Sequence, residues 1–133
     1  MYSKDFTVEI VTPVETKFQG TVEEVILPGV EGEMAVLGGH APLLTMLSPG
    51  VTVAVQGGQR TVLSTGEGFA TIAENKVVCL VDFAIEAKEL DFPSLTTELE
   101  QVRSQLTASP GDAALRLKKN LLEAKLKAQS YGK

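Results

Sequence analysis

Few side chains in this 133-residue chain could do covalent or acid–base chemistry, and those few stand apart. His40 is the only histidine and sits in Gly38-Gly39-His40-Ala41-Pro42. A general base needs a reacting group within hydrogen-bond reach and a third group to orient it, and these neighbours supply neither. His40 therefore reads as a corner histidine that bonds a backbone carbonyl or faces a partner. Cys79 lies in the unbroken apolar run Val77-Val78-Cys79-Leu80-Val81, the setting of an inert buried thiol. No basic neighbour is present to lower its pKa. One His and one Cys cannot fill a zinc shell, so neither a metal nor a cofactor is expected. Gly29, Gly32, Gly38, Gly39 and Gly50 lack the Gly-Lys-Ser/Thr ending and the following helix of a phosphate loop. Gly66-Glu67-Gly68 reads as a turn, and positive backbone angles at tight corners are expected to explain all of these glycines. Glu23 and Glu24 point to opposite faces of a strand and make no catalytic dyad. Glu31 and Glu33 flank Gly32 on an exposed acidic turn, either a solvated loop tip or a docking surface. No catalytic residue is expected.

The elements that position these residues fall into two groups. Up to about residue 88, short runs rich in Val, Ile and Thr alternate with Gly, Pro or Asn punctuation. Strands are predicted over 6–12, 14–18, 21–27, 33–37, 43–47, 51–56, 60–64, 68–73, 77–81 and 84–87. Gly57-Gly58 is a hairpin signal, and Glu74-Asn75-Lys76 is another turn. Many short strands mean a sandwich or flattened barrel, and a parallel sheet is excluded because no crossover helices separate the strands. From Leu90 the period changes. Leu95, Leu99, Val102 and Leu106 mark one helix face, with Asp91 as N-cap and Pro93 in the first turn. Ser109-Pro110-Gly111-Asp112 breaks that helix and offers Asp112 as the next cap. Ala114, Leu117, Leu121, Ala124 and Ala128 trace a second apolar stripe. The short connection makes the two helices antiparallel neighbours. The predicted domains are an all-β unit of about ten strands over residues 1–88 and an α-helical hairpin over residues 89–133. Two helices of this length are marginal alone, so the hairpin must rest on the β unit, on a partner, or on each in turn.

Apolar residues make up 44% and charged residues 22%, which suits a globular protein with a real core. No run approaches the ~20 apolar residues that span a bilayer, so no direct membrane insertion is expected. Met1-Tyr2-Ser3-Lys4-Asp5 lacks the layout of a secretory leader. A single cysteine excludes an internal disulfide and suits a reducing compartment. The net charge of −5 is unevenly spread. Residues 1–89 carry 5 basic and 12 acidic side chains, while residues 110–133 carry 6 basic and 2 acidic. Nucleic-acid binding is not expected, because the acidic part repels phosphates and no aromatic-basic stripe is present. Arg116, Lys118, Lys119, Lys125 and Lys127 spread over the flank and outer face of the second helix. They form either a solubilising face or a surface that seeks an acidic partner.

The order of residues from Glu31 to Gly50 is more specific than strand and turn chemistry requires. Glu31-Gly32-Glu33, then Gly39-His40-Ala41-Pro42-Leu43-Leu44-Thr45, Leu47 and Pro49-Gly50 resemble the E-G-E-x-x-x-x-x-G-H-A-P-L-L-T-x-L-x-P-G segment of the epsilon subunit of bacterial and plastid F-type ATP synthases, called delta in mitochondria. The likeness extends to Val11-Thr12-Pro13, Glu23-Glu24-Val25-Ile26-Leu27-Pro28, Gly66-Glu67-Gly68-Phe69, Asn75-Lys76-Val77 and the two-helix tail. The resemblance implies a non-catalytic rotor subunit of the central stalk that couples c-ring rotation to gamma and the catalytic head. ATP synthesis in such a complex is driven by proton or sodium transport. It implies a c-ring-facing loop at Glu31, Gly32 and Glu33 and a gamma-facing region at His40, Ala41, Pro42 and Leu43. It also implies a regulatory tail. Arg116, Lys118, Lys119 and Lys125 would make inhibitory contacts to the catalytic beta (and alpha) subunits and block hydrolysis. The implied location is peripheral, on the cytoplasmic face of the bacterial inner membrane.

The chain departs from the family at one motif. Some bacterial members bind ATP with I/L-D-x-x-R-A, whereas this chain reads Leu90-Asp91-Phe92-Pro93-Ser94-Leu95. Ser94 and Leu95 replace the cation and the alanine, so ATP binding is expected to be weak or absent. The alternative to the stalk reading is a free-standing β-sandwich binding module with a helical lid. The 5% aromatic content argues against the lined pocket such a module needs.

Overall fold

The computed structural model describes residues 5–131; residues 1–4, read above for a leader, and residues 132–133 lie outside them. Ten strands come first: β1 (Phe6–Val11), β2 (Thr16–Val22), β3 (Glu24–Gly29), β4 (Gly32–Leu37), β5 (Leu43–Leu47), β6 (Gly50–Gln56), β7 (Gln59–Thr65), β8 (Gly68–Ala73), β9 (Lys76–Val81) and β10 (Ala84–Glu86). A 3-10 turn over Ala87–Glu89 leads to helices α1 (Phe92–Ala108) and α2 (Ala113–Tyr131). The strands pair in the order β10-β7-β6-β3-β5-β8-β9-β1-β2, with β4 added on β3. The path folds back on itself. The Gln56 amide donates to the Thr21 carbonyl at 2.9 Å, and the Glu23 N–H donates to the Val55 carbonyl at 2.9 Å. The result is the expected ten-stranded sandwich, nearly closed.

The core lies between the layers. Phe6, Val8 and Ile10 of β1 turn inward while Thr7 faces out, the alternation of a strand with one buried face. They meet Val25 and Leu27 of β3, Leu63 of β7, Ile72 of β8 and Cys79 of β9. β6 is buried on both faces. Ala54 joins the sandwich core, while Val51 and Val53 join Val62 of β7 in a second cluster that receives Ala128 of α2. Glu74 and Asn75, at φ 51° and 62°, make the β8–β9 turn, and Gly57 and Gly58 make the β6–β7 turn at φ 55° and 81°. These paired left-handed residues match the right-handed twist of the flanking strands.

Four expectations need correction. First, strands predicted over 14–18 and 21–27 divide at Glu23 instead of at Gln19-Gly20, because β1 pairs with β2 all the way to Phe6↔Val22. Second, one parallel pair exists, β1 with β9, in register from Thr7↔Lys76 to Val11↔Leu80. No crossover helix is needed, since seven intervening strands make the return. Third, positive φ explains Gly32 and Gly39 but not the others. Gly50 needs the absence of a side chain, since an added Cβ would lie 2.7 Å from Pro28. At Gly68 it would overlap the Leu80 carbonyl, and at Gly66 the Asp82 carboxylate. Fourth, the buried stripe of α2 is not the predicted one. Leu115, Leu122 and Leu126 pack with Leu95, Leu99, Val102 and Leu106 of α1, whereas Ala114 is exposed and Leu117 is 60% exposed. Ala128 is buried as expected, but against the sheet.

Helix ends follow the capping chemistry expected. Asp91 accepts from the Ser94 N–H at 3.1 Å and the Ser94 hydroxyl at 2.9 Å. Asp112 accepts from the Leu115 N–H at 3.1 Å. Two ion pairs, Lys118–Glu98 at 3.2 Å and Arg103–Glu123 at 3.0 Å, bridge the helices. The helical pair touches the body through α2 on β6 and β7 and through Phe92 at the start of α1.

Candidate protein-interaction surfaces

The acidic residues singled out above sit at the tip of the β3–β4 hairpin, where Gly29 pairs with Gly32. Gly32 turns at φ 131°, a conformation that disfavours any side chain. Glu31, Gly32 and Glu33 are all exposed. Beside them a groove of about 510 Å³ is lined by Val30, Met34, Leu44 and Met46. Glu33 is engaged within the chain: its carboxylate accepts from the Tyr131 hydroxyl at 2.6 Å, across 98 residues. The hydrogen bond to that carboxylate, with burial, pushes the Tyr131 phenol above its ordinary pKa.

The Gly-His-Ala-Pro corner joins β4 to β5. Gly39, His40, Ala41, Pro42 and Leu43 are exposed. His40 Nδ1 lies 2.6 Å from the Ala41 carbonyl, so the ring carries its proton there and donates it. The corner opens onto an apolar outer face that sequence reading missed. Met46, Phe69 and Leu80 stand directly opposite one another on β5, β8 and β9, and Val11 of β1 extends the row. Leu44, one ladder step away, heads a second row through Thr71 and Val78. Leu44 is 65% and Met46 55% exposed, a placement that costs solubility unless something covers it. A signal was present in the sequence: Leu43-Leu44-Thr45-Met46-Leu47 is apolar on both faces of a strand.

The cations of α2 are partly committed in the packed tail. Arg116 donates to the Pro110 carbonyl at 3.0 Å, and Lys118 pairs with Glu98. Lys125 lies 5.2 Å from the centre of the Phe83 ring, a cation–π distance. Lys119 is half-buried, so it is not on the outer face. At the start of α1, Ser94 spends both its N–H and its hydroxyl on Asp91, which holds the Asp91 carboxyl below its ordinary pKa. Leu95 packs into the helix pair. Cys79 is buried and burial pushes its thiol up to about 12. Among the described residues, no three His, Cys, Asp or Glu side chains gather as a metal site would need. No helix among them is long and apolar enough to cross a membrane.

Comparison with known proteins gives the relationship. Residues 5–87 match the beta-sandwich domain of the ATP synthase Delta/Epsilon chain. The ATP synthase epsilon chain 2 of Ralstonia nicotianae is 44% identical over 64% of this chain and 62% of its own. The ATP synthase epsilon chains of a Chelativorans species and a Bradyrhizobium species are 39% and 36% identical, over 78% and 80% of this chain and 78% and 79% of theirs. A chain of the Euglena gracilis mitochondrial ATP synthase, in an OSCP/F1/c-ring structure in rotational state 1, superposes with a TM-score of 0.83 at 23% identity, covering 98% of this chain and 83% of that one. A chain of the Tetrahymena thermophila mitochondrial ATP synthase central stalk and c-ring gives 0.57 at 12% identity, with 96% of each covered. These two likenesses extend the shared fold through the helical pair. Since the matched domain spans more than half of the chain, and relatives above 30% identity align along more than three quarters of their length, the chain belongs to the ATP synthase delta/epsilon family.

Proposed function

We propose that the chain is a non-catalytic subunit of the central stalk of an F-type ATP synthase, seating gamma on the c-ring and passing torque between them. The observation that carries this reading is the exposed apolar row Met46–Phe69–Leu80, continuous with the His40–Leu43 corner, on a body with a closed, rigid core. An apolar surface of this kind is the ordinary anchor of a lasting protein contact. Gamma is the partner assigned to it. The acidic Glu31-Gly32-Glu33 tip, which shares a groove with Leu44 and Met46 at one end of that row, is assigned to basic loops of the c-ring. The complex lies at the membrane through its partners.

The helical tail is assigned a regulatory role. In its packed form Arg116, Lys118 and Lys125 are held by the chain itself, so inhibitory contacts to acidic residues of the beta subunit require those side chains to change partners. Binding of ATP by the chain alone is proposed to be weak or absent, since Ser94 stands in place of the motif's cation and is spent on Asp91. Calorimetry with ATP is expected to give no heat at micromolar concentrations. The assembly reading is tested by co-purification with gamma. Met46→Lys or Phe69→Lys places a charge in the apolar row and is expected to weaken capture at least tenfold, while Gln59→Lys, exposed at the β6–β7 turn, leaves it unchanged. Full capture by both row variants would refute the assignment.

A further inference from the structure

The helical pair and the β3–β4 tip meet at one hydrogen bond, Tyr131 Oη to Glu33 Oε2 at 2.6 Å. Three facts make that bond more than surface decoration. First, the pair has its own small core, Leu99, Val102 and Leu122 with Leu95, Leu106, Leu115 and Leu126. These contacts lie within the pair and do not involve the body. Second, its seat on the body is narrow: Ala128 and Tyr131 against β6 and β7, Phe92 beside them, and Lys125 over Phe83. Third, Glu33 is exposed on a hairpin tip turned by Gly32, so its carboxylate is otherwise open to solvent and to anything that docks there. A phenol donating to a carboxylate is a charge-assisted bond, stronger than a neutral one.

We propose that Tyr131 and Glu33 form a latch that couples the docking of the helical pair to the β3–β4 tip. With α2 seated, the Glu33 carboxylate is occupied. With α2 lifted, it is free. Coupling of this kind is reciprocal, so whatever takes the carboxylate loosens the tail, and whatever lifts the tail releases the tip. The positive charge of Arg60, on β7, opposes part of the effect of Glu33 on the phenol. The latch does not depend on which partner the tip meets, so it stands apart from the assignment to the c-ring.

Amide hydrogen exchange on the full chain tests the latch from both ends. Tyr131→Phe keeps the ring in its apolar seat and removes only the hydroxyl. Glu33→Gln keeps the shape and removes the charge. Each is expected to speed exchange over residues 122–131 about three- to tenfold, and Tyr131→Phe is expected to speed exchange at residues 30–34 as well. The double variant is expected to match Tyr131→Phe alone, because without the hydroxyl the group at position 33 has no bond to weaken. Glu31→Gln, one residue beyond Gly32, is expected to change nothing. Additive effects of the two substitutions, an equal effect of Glu31→Gln, or a Glu33→Gln variant with unaltered exchange in α2 would each overturn the proposal.

Discussion

At the scale of single residues, burial explains more than charge does. Cys79 was legible as an inert thiol because five apolar residues in a row leave a thiol nowhere wet to stand. Burial holds its folded pKa at about 12, above the ordinary thiol value of 9.0, so the unfolded chain ionises first as pH rises. The thiol's contribution to stability is therefore full below about pH 9 and is lost as pH climbs toward 12. The melting temperature is expected to fall more steeply between pH 9 and 11 in the native chain than in Cys79→Ala. In native buffer a thiol reagent is expected to label Cys79 only as fast as the chain opens. The glycines were less legible. Composition marks turns, and it found the Gly57-Gly58 corner. What bars a side chain at Gly68 is a carbonyl from the neighbouring strand, twelve residues away, and no local pattern reports that approach.

At the scale of elements, strands and helices were readable and their phase was not always so. Existence and type follow from period, and the sequence period switched visibly near Leu90. The stripe of α2 was displaced because half-buried Lys119 stands at helical spacing from Leu115 and Leu122, and its polar letter interrupts the true stripe. Exposed Leu117 then completed a false stripe. The parallel β1–β9 pair was unreadable for a different reason: a connection of some 65 residues leaves no local trace of which strands end side by side. Ala128 gives the element-scale prediction. It is fully buried against Val51, Val53 and Val62. Ala128→Leu is expected to overpack that seat by about 1–3 kcal/mol and lift α2, while far-ultraviolet circular dichroism keeps its helical signal. Faster proteolysis in the segment joining β10 to α1 would report the lifting.

At the scale of the whole molecule, charge and apolar area divide the surface into regions with different tasks. Residues 1–89 carry a net of −7 and residues 110–133 a net of +4, so the tail is drawn to the body that it rests on. That attraction is screened within about a Debye length, and raised salt is expected to loosen the tail before it touches the β core. In the proposed complex, deletion of residues 90–133 is expected to raise ATP hydrolysis by the assembled enzyme several-fold while leaving assembly intact; unchanged hydrolysis would remove the inhibitory role. The acidic tip and the corner were legible because their residue order exceeded what turns require. The apolar outer face was signalled only by Leu43–Leu47, apolar on both faces of one strand, because a lone Phe69 or Leu80 reads the same whether it points inward or outward.

The pairing of β1 with β9 sets an order of events during synthesis. The opening hairpin of β1 and β2 can form as soon as it leaves the ribosome, but the other edge of β1 stays bare until residues 76–80 have also emerged. For that interval a nascent chain displays Phe6, Val8 and Ile10 beside an unpaired strand edge, the combination most prone to capture by another nascent chain. Translation that stalls between the two strands exposes this edge longest, and the arrival of β9 is what makes the growing polypeptide safe.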